Sequence, residues 1–259
     1  MKDKLSVIKI GGNVVNNSSA LDRFLKDFAS MEGQKILVHG GGRQASELAS
    51  ALGLETKMAG GRRITDEKTL EVVTMVYAGL LNKSITARLQ GYQCDAIGLS
   101  GADGNSIRAH KRIVQDLDYG FAGDVDEVNA ELIVSLINSG LSPVFCAITH
   151  DRHGQLLNTN ADTIASELAQ ALATEYDVDL VYCFEKQGVL EDIGNEDSVI
   201  ERIDLTKYKE MKARGQIAEG MLPKLKNCFD ALEKGVSRVL IGSPELIREQ
   251  DRKHTVLTR

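Results

Sequence analysis

Tryptophan is absent, and proline occurs only three times in 259 residues. Few positions therefore lack a backbone donor, so helices and buried strands can run unbroken. The four cysteines (Cys94, Cys146, Cys183, Cys228) are scattered, with no CxxC pair. That spacing argues against a disulfide framework and reads as reduced thiols, mostly core, in a cytoplasmic protein. No Lys/Arg block or basic aromatic stripe occurs, and the net charge is −6, which argues against nucleic acid as a partner. No apolar run reaches the length of a bilayer crossing, and the polar start MKDKLS lacks an apolar signal core, so no membrane partner is expected. A P-loop pattern is missing, which excludes a P-loop nucleotide hydrolase. Neither a G-x-S-x-G elbow nor a Cys/His nucleophile signature appears. His150 and His153 flank a turn without the carboxylates or thiols that would complete a metal set.

What remains is an ordinary globular composition, 42% hydrophobic and 26% charged, enough for one large domain or two lobes. Short apolar runs alternate with helical patterns. Expected strands are Leu5 to Ile10, Lys35 to Val38, Ala96 to Leu99, Pro143 to Ile148, Leu180 to Phe184 and Arg238 to Ile241. Expected helices are Ala20 to Ser30, Arg43 to Leu52, Asp66 to Leu89, Ala130 to Ser139, Asp162 to Ala173 and Pro223 to Lys234. Thr65 and Pro223 mark the starts of two of these. The runs lack strict alternation, which suits strands covered on both faces of a mainly parallel sheet. Between Ile107 and Asn160 the rhythm breaks into turn-rich pieces, read as hairpins inserted on the sheet rather than further crossovers. The best lobe boundary falls near Thr174, dividing the chain into 1–173 and 174–259.

Chemistry concentrates at five places. Lys9 interrupts an apolar strand just before Gly11 and Gly12. Ligands of open parallel sheets sit beyond the carboxyl ends of the strands, and glycines let backbone donors approach an anion. An edge lysine followed by a plain turn is the bland alternative. Next, Val38-His39-Gly40-Gly41-Gly42-Arg43 joins a strand to a helix N-terminus, a phosphate site by geometry. It also fits a dinucleotide fingerprint through Gly40, Gly42 and Ala45. However, it follows the second strand rather than the first, and no acidic residue follows at the ribose distance. Arg62 and Arg63 lie on a Gly-rich loop and could grip a carboxylate, or simply face solvent. Asn158, Asn160 and Asp162 cluster where a strand hands over to a helix. A cap needs one of them, and the two asparagines are left for other work. Lys224 falls in the first turn of its helix, where a bound anion would answer the unfavourable dipole; a surface lysine is the bland alternative.

In this order, IKIGGN, VHGGGR, GGRRIT, TLEVVTMVYAGLLNKSI, AIGLSGADGNSIRA, LNTNADTIASELA and GMLPKL resemble the amino acid kinase family, and within it the acylglutamate branch. The likeness runs from about Lys4 to about Gly235. It implies an α/β fold, a three-layer αβα sandwich around a mainly parallel sheet with inserted β-hairpins. The implied activity is ATP-dependent phosphorylation of the side-chain carboxylate of N-acetylglutamate, the second step of arginine biosynthesis. The first lobe would bind the acylglutamate and dimerise; the second would bind ATP. Lys9 and Lys224 would neutralise the phosphoryl group in flight, and Asp162 would orient both. Gly41, Gly42, Arg63 and Asn158 would hold the acylglutamate, with Arg62 beside them. Gly11, Gly12, Gly188 and Lys224 would meet the nucleotide phosphates. Magnesium would arrive with ATP, and no metal ligand of the chain is expected.

Three features depart from the family pattern. Relatives carry Ser/Thr-Asp-Val before Gly-Val-Leu, where this chain has Cys183-Phe184-Glu185-Lys186-Gln187-Gly188. The C-terminal motifs differ as well. Relatives also have Gly-Leu-Arg where this chain has Gly61-Arg62-Arg63, so N-succinylglutamate is the alternative substrate. A non-catalytic amino acid- or nucleotide-binding member of the fold is the other reading. Arginine-inhibited relatives carry an extra N-terminal helix; with a first strand starting at about Leu5, a homodimer indifferent to arginine is expected.

Overall fold

The computed structural model describes residues 2–192, 194–214, 221–249 and 251–259, without the side chains of Leu222 and Pro223. Gly220, singled out with the GMLPKL stretch, lies outside the described residues. The chain opens with β1 (Lys4–Ile10), α1 (Gly12–Asn16), α2 (Ser18–Ser30), β2 (Gln34–His39) and α3 (Gly42–Ala51). A hairpin of β3 (Lys57–Ala59) and β4 (Arg62–Ile64) leads into α4 (Glu67–Thr74), a π-helical stretch (Met75–Leu81) and α5 (Asn82–Gly91). Then come β5 (Ala96–Leu99), β6 (Ile107–Lys111), β7 (Ala122–Val128), α6 (Ala130–Asn138), β8 (Ser142–Phe145), β9 (Ile148–His150), β10 (Leu156–Thr159) and α7 (Ala161–Leu172). The last part holds β11 (Asp177–Cys183), β12 (Arg202–Ile203), α8 (Leu205–Ala213), α9 (Leu222–Glu233), β13 (Arg238–Gly242) and β14 (Thr255–Leu257).

Among the described residues, eight strands form one sheet in the order β12-β14-β13-β11-β1-β2-β8-β5. From β13 to β5 every pairing is parallel; β14 runs antiparallel to β13. The central strands are buried almost end to end, as helices on both faces require. The sheet passes through Thr174 without a break, since β11 lies directly against β1.

Register places the site. Ile10 is level with His39 and Cys183, and Cys183 with Gly242. Gly11, Gly40 and Phe184 therefore leave one edge of the sheet side by side. Lys9 is level with Tyr182, so both project to the same face. Helix α7 covers that face, packing on β1 and β11.

The segment between Ile107 and Asn160 differs from expectation. Four of its strands do form an appendage, a small closed barrel ordered β10-β7-β6-β9. Yet it also holds one more parallel crossover, because β8 inserts between β2 and β5 in the main sheet. The apolar run expected from Pro143 to Ile148 is thus two strands serving two sheets, β8 and β9. The arginine pair also sits on a strand rather than a loop: Gly60 and Gly61 make the turn with positive φ, and Arg62 and Arg63 belong to β4. At the next helix Asp66, not Thr65, is the N-cap, its carboxylate accepting from Thr69 N. Thr65 is buried and pairs with Gly120, just before β7, instead. All four cysteines are buried. No helix of the described residues is long and apolar enough to cross a membrane.

Candidate active site

Two glycine turns open the site. Gly11 is the N-cap of α1, and Gly41 that of α3, so backbone donors of both turns face the cleft beyond the sheet edge. Gly41 has no alternative: a β-carbon there would lie 2.4 Å from Leu81 Cδ1 and 2.8 Å from Tyr77 Cδ1. Both contacts come from the π-helical stretch, whose wide turn pushes side chains against the glycine run. Behind it, His39 is fully buried; its Nδ1 lies 2.8 Å from the Gly40 carbonyl, and its Nε2 lies 3.2 Å from Asn82 Nδ2. Asn82 also donates to Val144 O, so Nδ1 is the protonated nitrogen of a neutral ring. Burial pushes the His39 pKa down to about 4. The ring is a support for the loop and not an acid or base for chemistry.

The cations converge next. Lys9 Nζ lies 2.5 Å from Asp162 Oδ1. The Asp162 backbone is fixed by its neighbour: Asn160 caps α7, its Oδ1 accepting from Asp162 N and Thr163 N. Asn160 is therefore spent on the cap, contrary to expectation, and Asp162 is the residue left for other work. Lys224 enters from the first turn of α9, and its ammonium stands 4.4 Å from the centre of the Phe184 ring. Lys9 faces the same ring at 5.7 Å. Among the described residues Lys224 has no carboxylate at ion-pair distance.

Three cavities lie here; two border this point, and the smallest meets one of them at Gly61 and Arg62. One of about 480 Å³ is lined by Lys9, Gly11, Gly12, Phe184, Gly188 and Lys224. Gly188 is also required by packing, since a β-carbon would sit 2.6 Å from Thr255 Oγ1. A second, about 190 Å³, is walled by Gly41, Gly42, Arg62, Arg63, Tyr77 and Asn158. The third, about 450 Å³, runs past Arg62, Asp162, Tyr182, Phe184 and Lys224. Every site residue expected from sequence thus borders one of these spaces. Tyr77, Tyr182 and Phe184 were not expected there. Phe184 lay inside the stretch that departs from the family pattern, but nothing in the sequence says where its ring points.

Arg63 is 8% exposed, and three of its N–H groups are taken by Thr56 Oγ1, Gly42 O and Ser46 Oγ. It ties the hairpin to the second glycine turn. Asn158 Nδ2 donates to the Thr65 hydroxyl, which donates on to Arg63 O. Arg62 stands 3.8 Å from Asp124, a carboxylate already held by Arg112 Nη1 at 2.8 Å to each oxygen. Burial, then the neighbouring Arg112, holds the Arg62 pKa below its ordinary value. Among the described residues no group of His, Cys, Asp and Glu could hold a metal ion.

A mainly parallel sheet, two glycine turns and two converging lysines suit a phosphotransferase of the type expected. The sequence matches the model of the amino acid kinase family over residues 4–243, and the chain belongs to that family. Its branch follows from close relatives. A protein of Phocaeicola vulgatus named acetylglutamate kinase is 56% identical over 96% of this chain and 97% of its own length. Another of that name, from Bacteroides fragilis, is 54% identical over 93% and 92%. In structure, N-acetylglutamate synthase from Neisseria gonorrhoeae, complexed with coenzyme A and N-acetyl-glutamate, superposes with a TM-score of 0.82 at 22% identity. That likeness covers 99% of this chain and 59% of the other, and it speaks for the fold alone.

Proposed function

We propose that the protein transfers the terminal phosphoryl group of ATP to the side-chain carboxylate of N-acetylglutamate, giving an acyl phosphate and ADP. The observation that carries this reading is the meeting of Lys9 and Lys224 over Phe184, where the two larger of these cavities join. A carboxylate is already ionised at neutral pH, so no general base is needed. One carboxylate oxygen forms the new bond to phosphorus as the bond to the bridging oxygen of ADP breaks. Transfer of this kind depends on positioning and on stabilising spread charge, which lysines and backbone donors supply.

In this reading Lys9 lies nearest the transferred group and Lys224 toward ADP. Asp162 orients Lys9 directly. Gly11, Gly12 and Gly188 border the nucleotide cavity; Gly41, Gly42, Arg63 and Asn158 border the acyl amino acid. The lobes 1–173 and 174–259 divide the site rather than the sheet. Magnesium travels with ATP, screening phosphate charge and keeping waters, with no carboxylate cage from the chain. The protein works as a homodimer; Met75 and Leu80, 52% and 60% exposed on the helix from α4 to α5, support an apolar contact there.

A second reading of the acyl group rests on Arg62. Two guanidiniums share the single carboxylate of Asp124, and the buried Arg112 Nε finds no hydrogen-bond partner among the described residues. An acyl group with its own carboxylate, as in N-succinylglutamate, would complete that charge balance. The deciding experiment is ADP release with MgATP and each acylglutamate, trapping the acyl phosphate with hydroxylamine. Failure to form hydroxamate from either compound overturns the kinase reading.

A further inference from the structure

Phe184 occupies a place that the chemistry above leaves without a role. It follows β11 at the sheet edge, where its backbone N–H donates to Gly242 O at 2.8 Å. Its ring stacks on Tyr182, centroids 5.9 Å apart and planes 7° apart. The Tyr182 hydroxyl in turn donates to Asp162 O at 3.0 Å. The ring is therefore braced from the sheet and, through tyrosine, from the first turn of α7. Both Lys9 and Lys224 lie over the ring, at 5.7 and 4.4 Å from its centre, and the ring borders the cavities of about 480 and 450 Å³.

An aromatic face carries negative potential and attracts an ammonium within about 6 Å of its centre. Two cations near one point repel each other and cost conformational freedom to hold. A braced ring beside them lowers both costs. It adds to Asp162 at Lys9 and serves Lys224, which has no carboxylate at ion-pair distance among the described residues, with no further negative charge to repel incoming phosphate.

We propose that Phe184 is a positioning residue, an aromatic wall that holds the Lys9 and Lys224 ammoniums at the junction before the phosphates arrive. The role rests on the kinase reading of this junction. A leucine would fill similar space without a π face, whereas tyrosine would keep it. Phe184→Leu should lower kcat about tenfold, while the KM for acylglutamate stays within about twofold. Phe184→Tyr should restore turnover to within about threefold of the parent. Wild-type speed in the leucine variant, or equal loss in both, overturns the proposal.

A second readout is independent of activity. Lysine ε-methylene protons held over a ring face move upfield by its ring current. The ¹H–¹³C spectrum of the free protein should show such a signal, lost in Phe184→Leu and in Lys224→Arg, and kept in Phe184→Tyr. Its absence from the wild type overturns the positioning itself. If the wild type shows the signal but forms no acyl phosphate, the kinase reading fails while the aromatic wall stands.

Discussion

Asp162 Oδ1 lies 2.5 Å from Lys9 Nζ, joining the first turn of α7 to the end of β1 across the face of the sheet. The pair fixes an ammonium that would otherwise sweep a wide arc on its flexible stem.

Loss of either lysine removes charge stabilisation that grows as the phosphoryl group moves. Lys9→Ala and Lys224→Ala should each lower kcat by about a hundredfold or more, with a smaller rise in KM. Asp162→Ala should lower kcat with little change in KM for ATP. Steady-state kinetics checks all three, and near-parental turnover removes that residue from the transfer step.

Arg63 has two tasks, so its substitution should show two effects. Lysine cannot reproduce the fork that reaches Thr56, Gly42 and Ser46. Arg63→Lys should raise the KM for acylglutamate and lower stability by about 1–3 kcal/mol. Urea unfolding separates the second effect from the first. An unchanged KM takes Arg63 out of the substrate site and leaves it as a strut.

The second reading of the acyl group turns on Arg62. A charge-assisted pair with a substrate carboxylate is worth about 1.5–3 kcal/mol, on the order of tenfold to a hundredfold in selectivity. On the second reading the wild type would favour N-succinylglutamate in kcat/KM, and Arg62→Leu would move preference toward N-acetylglutamate. Preference for the acetyl compound, unchanged by the substitution, rules the second reading out.

His39 makes stability depend on acid. Its folded pKa of about 4 lies below the ordinary value of 6.5, so the unfolded chain binds the proton more readily. The contribution is fully present above about pH 6.5 and is lost as pH falls toward 4. By pH 5 it should have fallen by about 2 kcal/mol. Urea midpoints at pH 7 and pH 5 measure the loss, and His39→Gln should show a correspondingly smaller drop. Equal drops in both proteins exclude this histidine as the cause.

The main strands were legible because Val7-Ile8 and Ile36-Leu37-Val38 are apolar runs closed by glycine. Hairpin β3–β4 was not, since strands of three residues are too short to show a period. Helix α8 escaped because it buries little beyond Tyr208 and Met211. Asn160 and Asp162 are both good cap formers, so composition alone could not tell which one caps and which stays free. The lysines and glycines of the site stood out by type, being costly or unusual where they occur. Phe184 did not, because an aromatic residue after an apolar strand reads as core.

The π-helical stretch from Met75 to Leu81 also sets the phase of everything after it. Each residue of an ordinary helix turns the chain by about 100°. A π turn winds the chain by less per residue, so relaxing the same seven residues to ordinary winding would bring α5 in rotated about its axis. Asn82 would then point away from His39, and Lys83 away from the Gly98 carbonyl it now holds at 2.7 Å. The glycine turn would lose its brace although no residue touching substrate had changed. Winding here is thus as much a part of the active site as any side chain.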